Sequence, residues 1–402
     1  MGQLEVADIF RDFGPAWRKA NAGHISLGQL KVMTAIERCR SAALGGHVLR
    51  CSGCAEQQIA YNSCRNRHCP KCQASAAHRW LEARQTELLP VEYFHVVFTL
   101  PSQISDIAFQ NKAVMYNILF KAASQTLLTI GADPKHLGAK LGLTAVLHTW
   151  GSAMTHHPHL HCIVPGGGLS LDKQRWVSCR SGFFLPVRVL SRLFRRLFLE
   201  QLKQAHRDGQ LEFHGKQADL SDTASFDRYL QPTRRIDWVV YAKRPFAGPE
   251  SVLTYLSRYT HRIAIANSRL ISANKESVTF KWKDYRVEGQ KRFKSMRLDT
   301  AEFIRRFLIH VLPNGFHRVR HYGLLSNQAR KNALPLARTL LQVAPVLEEQ
   351  DEPATPIPVF VCRHCGEPMI IIEVFERPYA ARAPPVPPMT RCEQTDLMRS
   401  PM

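Results

Sequence analysis

The segment 156–164, His-His-Pro-His-Leu-His-Cys-Ile-Val, constrains the fold of this chain more than any other stretch. Its β-branched and apolar residues, followed by a Pro-Gly-Gly-Gly turn, predict a β-strand. Because side chains alternate along a strand, His159 and His161 share one face while Leu160 and Cys162 point to the other. The segment therefore predicts a sheet with one apolar face and one face that carries imidazoles.

A third histidine is predicted to join this pair. The segment 143–150, Leu-Thr-Ala-Val-Leu-His-Thr-Trp, has the composition of a preceding strand. If the two strands form a hairpin that turns near residues 153–154, His148 lies opposite His159. Two imidazoles about 7 Å apart along one strand can share a metal ion, which makes His148, His159 and His161 candidate ligands. Surface histidines without a metal are the alternative for an isolated His-x-His pattern.

Helices and strands alternate along the rest of the chain. Helical periodicity predicts two helices before residue 45 and one over 73–89, which Pro90 ends. Further helices are expected over 105–130, 187–207, 249–260 and 300–342, and further strands over 93–100, 237–243 and 263–298. This order predicts an α+β protein with a central antiparallel sheet.

The same order predicts four segments. Residues 1–90 are expected to form an N-terminal helical and zinc-binding domain, and residues 91–300 the domain that contains the sheet. Residues 301–348 carry many Lys and Arg side chains and are expected to form a basic helical region that contacts DNA. Residues 349–402 are a Pro-rich tail with one Cys-x-x-Cys, and much of this tail is expected to be disordered.

Cysteines cluster near the N-terminus. Of eleven cysteines, six fall between Cys39 and Cys72. In a reducing compartment, such clusters bind metal more often than they form disulfides. The pairs Cys51-x-x-Cys54 and Cys69-x-x-Cys72 supply four thiolates, which is the ligand set of one tetrahedral structural zinc ion.

The remaining metal-binding residue types are less regularly spaced. Four of them are candidates for a second zinc ion, with core cysteines and surface histidines as the favoured alternative: Cys39, His47, Cys64 and His68. Cys362-x-x-Cys365 in the tail is half of a site. It can be completed by His364 or by the N-terminal cluster.

The charge of the chain indicates a polyanionic partner. Lys and Arg number 54 against 33 Asp and Glu, which gives a net charge of +21 and an isoelectric point near 9.8. Such a balance is typical of nucleic-acid-binding proteins. No run approaches the roughly 18–20 apolar residues that span a bilayer, and the N-terminus lacks a basic-then-apolar signal. We therefore expect a cytoplasmic protein, with nucleic acid and no membrane as partner.

Two tyrosines lie within the predicted helix over 249–260. Tyr255 and Tyr259 are four residues apart and share one face of that helix. Aromatic pairs of this kind usually pack in a core, but here the neighbours are basic. From Arg258 to Arg297 the chain has eleven Lys and Arg and three Asp and Glu, a net charge of +8. This composition suits contact with a phosphate backbone.

Basic and aromatic residues interleave in this stretch. The candidate DNA contacts are Arg258, Arg262, Lys281, Lys283, Arg292 and Lys294. The aromatic residues that can stack on single-stranded bases are Phe280, Trp282, Tyr285 and Phe293, although some must belong to a core.

Together these motifs resemble a known family. A His-hydrophobic-His strand with tyrosines on a later helix resembles the HUH endonucleases, which include replication initiators, conjugative relaxases and rolling-circle transposases. The zinc module from CRSAALGGHVLRC to YNSCRNRHCPKCQ resembles that of insertion-sequence transposases of the IS91 type. So do HTWGSAMTHHPHLHCIVPGGG, YLSRYTHRIAIAN and RHYGLL. The resemblance covers about residues 5–375, and both tyrosines place the chain with the two-tyrosine form.

The resemblance implies an HUH-type, RRM-like sheet and an enzyme that cleaves and rejoins single-stranded DNA. Tyr255 and Tyr259 would be the nucleophiles, and a 5′-phosphotyrosine the covalent intermediate of rolling-circle transposition. A divalent Mg²⁺ or Mn²⁺ held by the histidines would assist, and Zn²⁺ would be structural. The partners implied are the single-stranded element ends and the target DNA, and protein partners are unknown. The resemblance also implies association with the bacterial nucleoid.

Three other classes of protein were weighed. A plasmid relaxase or replication initiator would use the same chemistry, but the zinc module and the lack of a Gly-x-x-x-x-Gly-Lys-Ser/Thr motif argue against it. A non-catalytic zinc-finger regulator would explain the charge and the cysteines, although it would not need the histidine strand and the tyrosines. A transposase built on an Asp/Glu triad is disfavoured because no carboxylate cluster is evident.

Overall fold

The structure is a computed structural model that describes residues 3–85, 87–243, 262–285, 287–343 and 360–377. They form two compact units. The large unit comprises Met1–Cys39 and Ser63–Ile357, and the small unit comprises Arg40–Asn62 and Pro358–Met402. This division differs from the four predicted segments, because part of segment 1–90 folds together with part of the tail.

The helices of the described chain are α1 (Val6–Ala20), α2 (Leu27–Glu37), α3 (Gln73–Gln85), α4 (Ser102–Gln110), α5 (Lys112–Ala132), α6 (Val187–Arg207), α7 (Thr223–Arg235), α8 (Thr300–Leu308) and α9 (Arg330–Leu340). The strands are β1 (Gly46–Cys51), β2 (Gln57–Tyr61), β3 (Tyr93–Thr99), β4 (Ala139–Lys140), β5 (Gly142–Trp150), β6 (His156–Pro165), β7 (Gly167–Ser170), β8 (Trp176–Ser178), β9 (Val240–Lys243), β10 (Leu270–Ala273), β11 (Ser277–Lys283), β12 (Phe293–Asp299), β13 (Val319–Gly323) and β14 (Met369–Phe375).

A five-stranded sheet forms the centre of the large unit. Its strands lie in the order β13-β5-β6-β3-β9, and each neighbouring pair is antiparallel. The α+β prediction with a central antiparallel sheet is therefore confirmed. Leu160, Cys162 and Val164 all belong to the main buried core, so the predicted apolar face of β6 is confirmed as well.

Helices α5 and α6 cover the apolar face of this sheet. The predicted helix over 187–207 is confirmed by α6, whose apolar side chains recur every fourth residue. Leu190, Phe194, Phe198 and Leu202 are fully buried, and the Phe98 ring of β3 meets Phe194 at a centroid distance of 4.9 Å. Each such buried side chain contributes roughly 1.5–3 kcal/mol, so this face anchors the sheet.

A second core of the large unit joins α1, α2 and α8 to a three-stranded sheet of β10, β11 and β12. Phe10 of α1 meets Phe307 of α8 edge to face, with ring centroids 5.2 Å apart. Phe280 of β11 is fully buried in the same core. The strands predicted over 263–298 are confirmed as these three strands.

The small unit contains a sheet in the order β14-β1-β2. Strand β14 comes from the tail and pairs antiparallel with β1, with a register shift between Val48 and Leu49. Residues 360–377 of the tail are therefore ordered, while the prediction that much of the tail is disordered stays a prediction. Pairing with β1 supplies the partner that an isolated Met-Ile-Ile-Ile-Glu-Val-Phe strand lacks.

Two predicted elements have different boundaries in the structure. The helix expected over 105–130 is divided into α4 and α5 at Asn111, whose side chain donates to the Glu212 carbonyl at 2.8 Å and accepts from the Glu212 amide at 2.8 Å. The helical region expected over 300–342 contains strand β13, which pairs with β5. The helix predicted over 249–260 lies outside the described residues.

Gly323 explains why β13 ends where it does. Its φ is +59°, and a Cβ at this position would lie 2.0 Å from the Leu141 carbonyl oxygen. Only glycine accepts both this conformation and this close approach.

Among the described helices, none combines the length and the apolar character needed to cross a bilayer.

Candidate functional site

Neighbouring strands of the central sheet bring three histidines together. His148 of β5 lies directly opposite His159 of β6, which is the register that the hairpin argument predicted. The turn follows at Met154, which has a positive φ of 58°. Ring nitrogens of His148, His159 and His161 all lie within 4.8 Å of one another. The sheet thus gathers the three imidazoles on the face opposite the apolar core.

Hydrogen bonds orient two of these rings. Nδ1 of His159 lies 2.7 Å from the carbonyl oxygen of His157. Because a carbonyl only accepts, Nδ1 carries the proton and Nε2 keeps its lone pair. Nδ1 of His161 lies 2.7 Å from Nε2 of His95, and these two rings stack with centroids 5.0 Å apart. When His161 donates to His95, its Nε2 is also available as a ligand.

His95 is a site residue that the sequence analysis did not identify. It lies on β3, and the pairing of Val97 with His161 places positions 95, 97 and 99 on the histidine face of the sheet. The signal in the sequence is a single imidazole at an alternating position of Tyr93–Thr99, a strand that is otherwise apolar or aromatic. One histidine in a strand does not reveal which strand it will pair with.

Removal from water keeps these imidazoles neutral. It lowers the pKa of His159 to about 4 and the pKa of His95 to about 3. The same desolvation holds the pKa of His161 well below its usual value, with smaller effects from neighbouring charges that include Arg262. Neutral imidazole is the form that binds metal ions, so His159 and His161 are in their ligand form at neutral pH.

The chemistry of this donor set fits a divalent cation. Among the residues that the structure describes, the group consists of three imidazoles and includes no carboxylate. Three neutral ligands leave the full charge of a bound cation available to anions, and they leave coordination positions open. Imidazole suits Mn²⁺ and later transition ions better than Mg²⁺, which prefers oxygen ligands.

The cysteines form two groups, one in each unit. In the large unit the group consists of Cys39, Cys64, Cys69 and Cys72, and in the small unit it consists of Cys51, Cys54, Cys362 and Cys365. The predicted single site of Cys51, Cys54, Cys69 and Cys72 is therefore wrong, because its two pairs belong to different units. The second predicted set, Cys39, His47, Cys64 and His68, is also wrong as a set. Neither histidine belongs to a cysteine group.

The group of the large unit has the dimensions of a tetrahedral thiolate site. The sulfur of Cys72 lies 3.6 Å from that of Cys39 and 3.6 Å from that of Cys64. Zinc–sulfur bonds of about 2.3 Å place tetrahedral sulfurs about 3.8 Å apart. Hydrogen bonds with the sulfurs of Cys39 and Cys64 raise the pKa of Cys69 well above its usual range. All four sulfurs can be thiolates at this distance only when a cation balances their charge.

The histidine of the second predicted set serves another purpose. His68 is enclosed, and desolvation lowers its pKa to about 3. Its Nε2 accepts a hydrogen bond from the backbone amide of Leu312 at 3.5 Å. This contact uses the ring nitrogen inside the protein rather than at a metal.

The predicted nucleophiles, Tyr255 and Tyr259, lie outside the described residues, as does Arg258. The chain is described on both sides of that segment. Lys243, which precedes it, pairs with His95 at the edge of the central sheet. Arg262, which follows it, is exposed, and its carbonyl accepts a hydrogen bond from Arg318 at 3.2 Å.

The exposed face of the β11–β12 hairpin combines basic and aromatic side chains. Lys281 and Lys283 alternate along β11 onto the same face, and Phe293 lies directly opposite Lys283. The Lys283 ammonium lies 4.9 Å from the centroid of the Phe293 ring, and the Arg292 guanidinium lies 5.4 Å from it. Phe293 is 54% exposed and the nearby Tyr285 is 71% exposed. We call these five residues the hairpin surface.

Two of the rings predicted to stack on bases and one of the predicted basic contacts lie on the other face of this hairpin. Phe280 is fully buried, and Trp282 packs against the same core. Lys294 lies opposite Trp282 on the other face of the hairpin and forms an ion pair of 2.9 Å with Asp284. Alternation along the strands separates them from Lys281 and Lys283.

Known proteins match most of the chain. The family profile described as "Putative transposase" matches residues 142–333, and the profile described as "Transposase zinc-binding domain" of the IS91 type matches residues 9–100. The chain is 54% identical over 383 residues to the "Putative transposase y4qJ" of Sinorhizobium fredii, an alignment that covers 92% of this chain and 96% of that protein. It is therefore a member of the IS91-type transposase family.

Two further similarities are more distant. The "Transposase for insertion sequence element IS801" of Pseudomonas savastanoi pv. phaseolicola is 24% identical over 322 residues, covering 79% of this chain and 75% of that protein. A solved structure, "Conjugative Relaxase TrwC in complex with mutant OriT Dna", matches 40% of this chain and 64% of that chain, with 15% identity and a TM-score of 0.23. That score is too low for structural conclusions. The predicted N-terminal zinc-binding module is confirmed by the family match.

Proposed function

We propose that this transposase cleaves and rejoins single-stranded DNA through a covalent 5′-phosphotyrosine and drives rolling-circle-type transposition of an insertion sequence. One observation carries the proposal. Three imidazoles converge on one face of a rigid sheet, within 4.8 Å of one another, and no carboxylate of the described residues belongs to the group. Such a site holds a cation whose charge is left for an anionic substrate, as the phosphodiester backbone provides.

His148, His159 and His161 would hold the cation, either Mg²⁺ or Mn²⁺. When bound, it neutralises the scissile phosphate and lowers the barrier to attack on phosphorus. The hydrogen bond between His95 and Nδ1 of His161 leaves Nε2 of His161 available as a ligand. The hydrogen bond between the His157 carbonyl and Nδ1 of His159 does the same for Nε2 of His159. The chain thereby presents a preformed ligand set, which reduces the rearrangement needed on loading.

Tyr255 and Tyr259 are the proposed nucleophiles. A phenolic oxygen attacks the phosphorus and forms an oxygen–phosphorus bond, while the bond from phosphorus to the 3′ oxygen breaks. The phenol loses its proton and the departing 3′ oxygen gains one. Because the phosphotyrosine retains an ester bond, a free 3′-hydroxyl can reverse the step without ATP. The second tyrosine permits a second strand exchange before the first bond is resolved.

The ends of the undescribed segment 244–261 support this assignment. Lys243 lies beside His95 in the sheet, and the charge of Arg262, after desolvation, contributes to the lowered pKa values of His159 and His161. The chain on each side of the tyrosines therefore lies close to the imidazoles. This proximity supports delivery of a phenol to the same phosphate.

The hairpin surface is the proposed contact for single-stranded DNA. An exposed ring flanked by Lys283 and Arg292 can stack on a base while the cations contact phosphates. Lys281 and Arg262 extend the positive charge and are also exposed. Lys294, paired with Asp284, is not proposed as a contact. Arg258 remains a sequence-based proposal.

A labelling experiment tests the mechanism. A single-stranded oligonucleotide from the end of the element is incubated with the protein and Mn²⁺, then resolved on a denaturing gel. Attack that leaves a 5′-phosphotyrosine transfers a 3′ fluorophore to the protein, whereas a 5′ fluorophore is released on a shorter strand. We expect the Tyr255→Phe/Tyr259→Phe double variant to form no adduct, and either single variant to retain part of the activity.

Tyr241→Phe is the matched control. Tyr241 is 53% exposed and lies on the histidine face of the sheet, because it pairs with Val97. We expect this variant to form the adduct at the normal rate. An undiminished adduct in the double tyrosine variant, or its loss in Tyr241→Phe, would refute the assignment of the nucleophiles.

We also propose that the cysteine group of the large unit holds a structural Zn²⁺. The group has four thiolates and therefore no open position for a substrate. Cys69 is completely buried, and Cys39, Cys69 and Cys72 pack in the core that joins α1 and α2 to the β10–β12 sheet. This zinc ion would fix the cysteine-bearing segments to this core, and it would take no part in strand cleavage.

A further inference from the structure

The two halves of the small unit's cysteine group are equivalent to each other. The first reads Cys51-Ser-Gly-Cys54-Ala-Glu56, and the second reads Cys362-Arg-His-Cys365-Gly-Glu367. In each, the amide of the first cysteine donates to the carbonyl of the glutamate five residues later, at 2.8 Å in both cases. The short motif Cys-x-x-Cys-x-Glu is thus repeated at two places far apart in the sequence.

The backbone conformation after each pair is also the same. The residue that follows the second cysteine has a positive φ in both turns, 58° at Ala55 and +83° at Gly366. The amides between the two cysteines also point toward the first sulfur in both turns. The Gly53 amide lies 3.4 Å from the Cys51 sulfur, and the His364 amide lies 3.4 Å from the Cys362 sulfur. Amides in this position stabilise thiolates.

The four sulfurs form a compact tetrad. The Cys51 sulfur lies 3.3 Å from that of Cys365, and the Cys54 sulfur lies 3.7 Å from that of Cys362 and 3.5 Å from that of Cys365. A disulfide would require about 2.05 Å. These separations are instead close to the roughly 3.8 Å of a tetrahedral zinc thiolate site.

The described part of the small unit has a small core. The buried residues described there are Leu49, Cys51, Cys362 and Met369. Most of the apolar side chains of β14 are exposed, Val374 to 63%. Domains with so little buried apolar surface usually require a metal or disulfides. The hairpin of β1 and β2 by itself, with only two of the four cysteine ligands, would be marginally stable.

We infer that Cys51, Cys54, Cys362 and Cys365 bind a second Zn²⁺, which closes residues 40–62 and the tail residues 360–377 into one metal-dependent unit. Neither family profile reaches the tail, since they end at residues 100 and 333. The inference is independent of the proposed strand-cleavage chemistry, because it concerns only four thiolates and the sheet β14-β1-β2. The ligand class is a thiophilic divalent cation in tetrahedral geometry.

Zinc stoichiometry of the full chain tests this inference. We expect two zinc ions per wild-type chain and one in the Cys362→Ser/Cys365→Ser double variant, measured by mass spectrometry of the metal after dialysis. The control is Cys179→Ser, because Cys179 is a free cysteine outside both groups, and it should retain both ions. Two ions in the double variant, or a single ion in the wild type, would overturn the inference.

Alkylation mapping separates loss of this site from general unfolding. In the double variant, Cys51 and Cys54 should react with iodoacetamide at least ten times faster than in the wild type. The four grouped cysteines of the large unit, Cys39, Cys64, Cys69 and Cys72, should stay protected, which would show that this unit is still folded. Unchanged protection of Cys51 and Cys54 would contradict the proposed pairing with the tail. So would equal exposure of all cysteines, because it would show one cooperative metal cluster rather than two.

Discussion

The cysteine groups and the histidine group differ in ligand number, ligand charge and position in the fold. Each cysteine group offers four sulfurs, so a zinc ion would be fully coordinated. The histidine group offers three imidazole nitrogens, so a cation bound there would keep open coordination positions. Under the proposed function, the cysteine groups would hold structural metals and the histidine group a catalytic one.

The parts of the fold that carry the two kinds of group also differ. The cysteines lie in turns and loops or at the ends of strands and helices, where the backbone can adapt to an ion and is less stable without one. The histidines project from the middle of paired strands whose other face is fully packed, so their arrangement exists before any ion binds. Removal of a ligand should therefore damage stability at the first kind of site and chemistry at the second.

The largest expected effect is at Cys69, which is completely buried. Cys69→Ser replaces a thiolate by a poor zinc ligand, and structural zinc contributes roughly 10 kcal/mol or more of binding free energy to folding. We expect the large unit to lose its zinc and most of its stability, a loss of about 5 kcal/mol or more. Thermal unfolding and zinc content measure this. A melting temperature within a few degrees of wild type would remove the distinction between the two kinds of site.

The second effect is chemical rather than structural. His161→Ala removes a proposed metal ligand, and loss of several kcal/mol of metal assistance should slow strand cleavage by about 10²–10³-fold. The melting temperature and the zinc content should stay near wild type, because the apolar face of β6 is unchanged. His136→Ala is the control, since His136 belongs to no metal-binding group among the described residues. Cleavage at the normal rate by His161→Ala would eliminate the proposed metal site.

A smaller effect is expected at His95, which acts on His161 rather than on a substrate. His95→Leu removes the acceptor of the His161 Nδ1 proton, and loss of such a partner typically weakens metal affinity 10–100-fold. His95→Gln can accept the same hydrogen bond through Oε1 and should recover most of the affinity. Titration of Mn²⁺ by calorimetry distinguishes the variants without any activity assay. Equal affinities in Leu and Gln variants would show that His95 only fills space.

The sequence analysis was accurate where neighbours in the chain are also neighbours in space. The β5–β6 hairpin is local, and strict alternation on both strands made the pairing of His148 with His159 predictable. Helix α6 was predictable for the same reason, since its apolar residues recur at helical spacing. Both results depend on contacts between residues separated by a short stretch of chain.

Long-range pairing explains most of the errors. Cys51 and Cys54 lie near Cys362 and Cys365, and spacing alone cannot rank that pairing above the local one with Cys69 and Cys72. The repeated Cys-x-x-Cys-x-Glu motif was the available signal. Strand β13 lies within a basic stretch that was predicted to be helical, and it pairs with β5, which is distant in the sequence. The sequence analysis did not identify His95, because the sequence of a strand does not show which other strand it pairs with.

The smallest predicted effect lies outside all three metal groups, at the hairpin surface. Phe293→Ala removes a ring that is 54% exposed between Lys283 and Arg292. Stacking of one base contributes about 1–2 kcal/mol, so the affinity for single-stranded DNA should fall roughly 5–30-fold, measured by fluorescence anisotropy at fixed salt. Phe293→Trp should retain it, and Phe109→Ala, which removes another exposed ring at 43% exposure, should have no effect.

The salt dependence of DNA binding distinguishes the contribution of the Phe293 ring from that of the neighbouring positive charges. Phe293→Ala should weaken binding at every salt concentration and leave the slope of log affinity against log salt unchanged. Lys283→Ala should reduce that slope by about 0.7, the value for one phosphate contact on a single strand. Zinc content and Mn²⁺ affinity should not change in either variant, because neither side chain belongs to a metal group. A changed Mn²⁺ affinity would mean that DNA binding and the imidazole site are coupled in the free protein, and the separation between structural, chemical and substrate-binding regions would fail there.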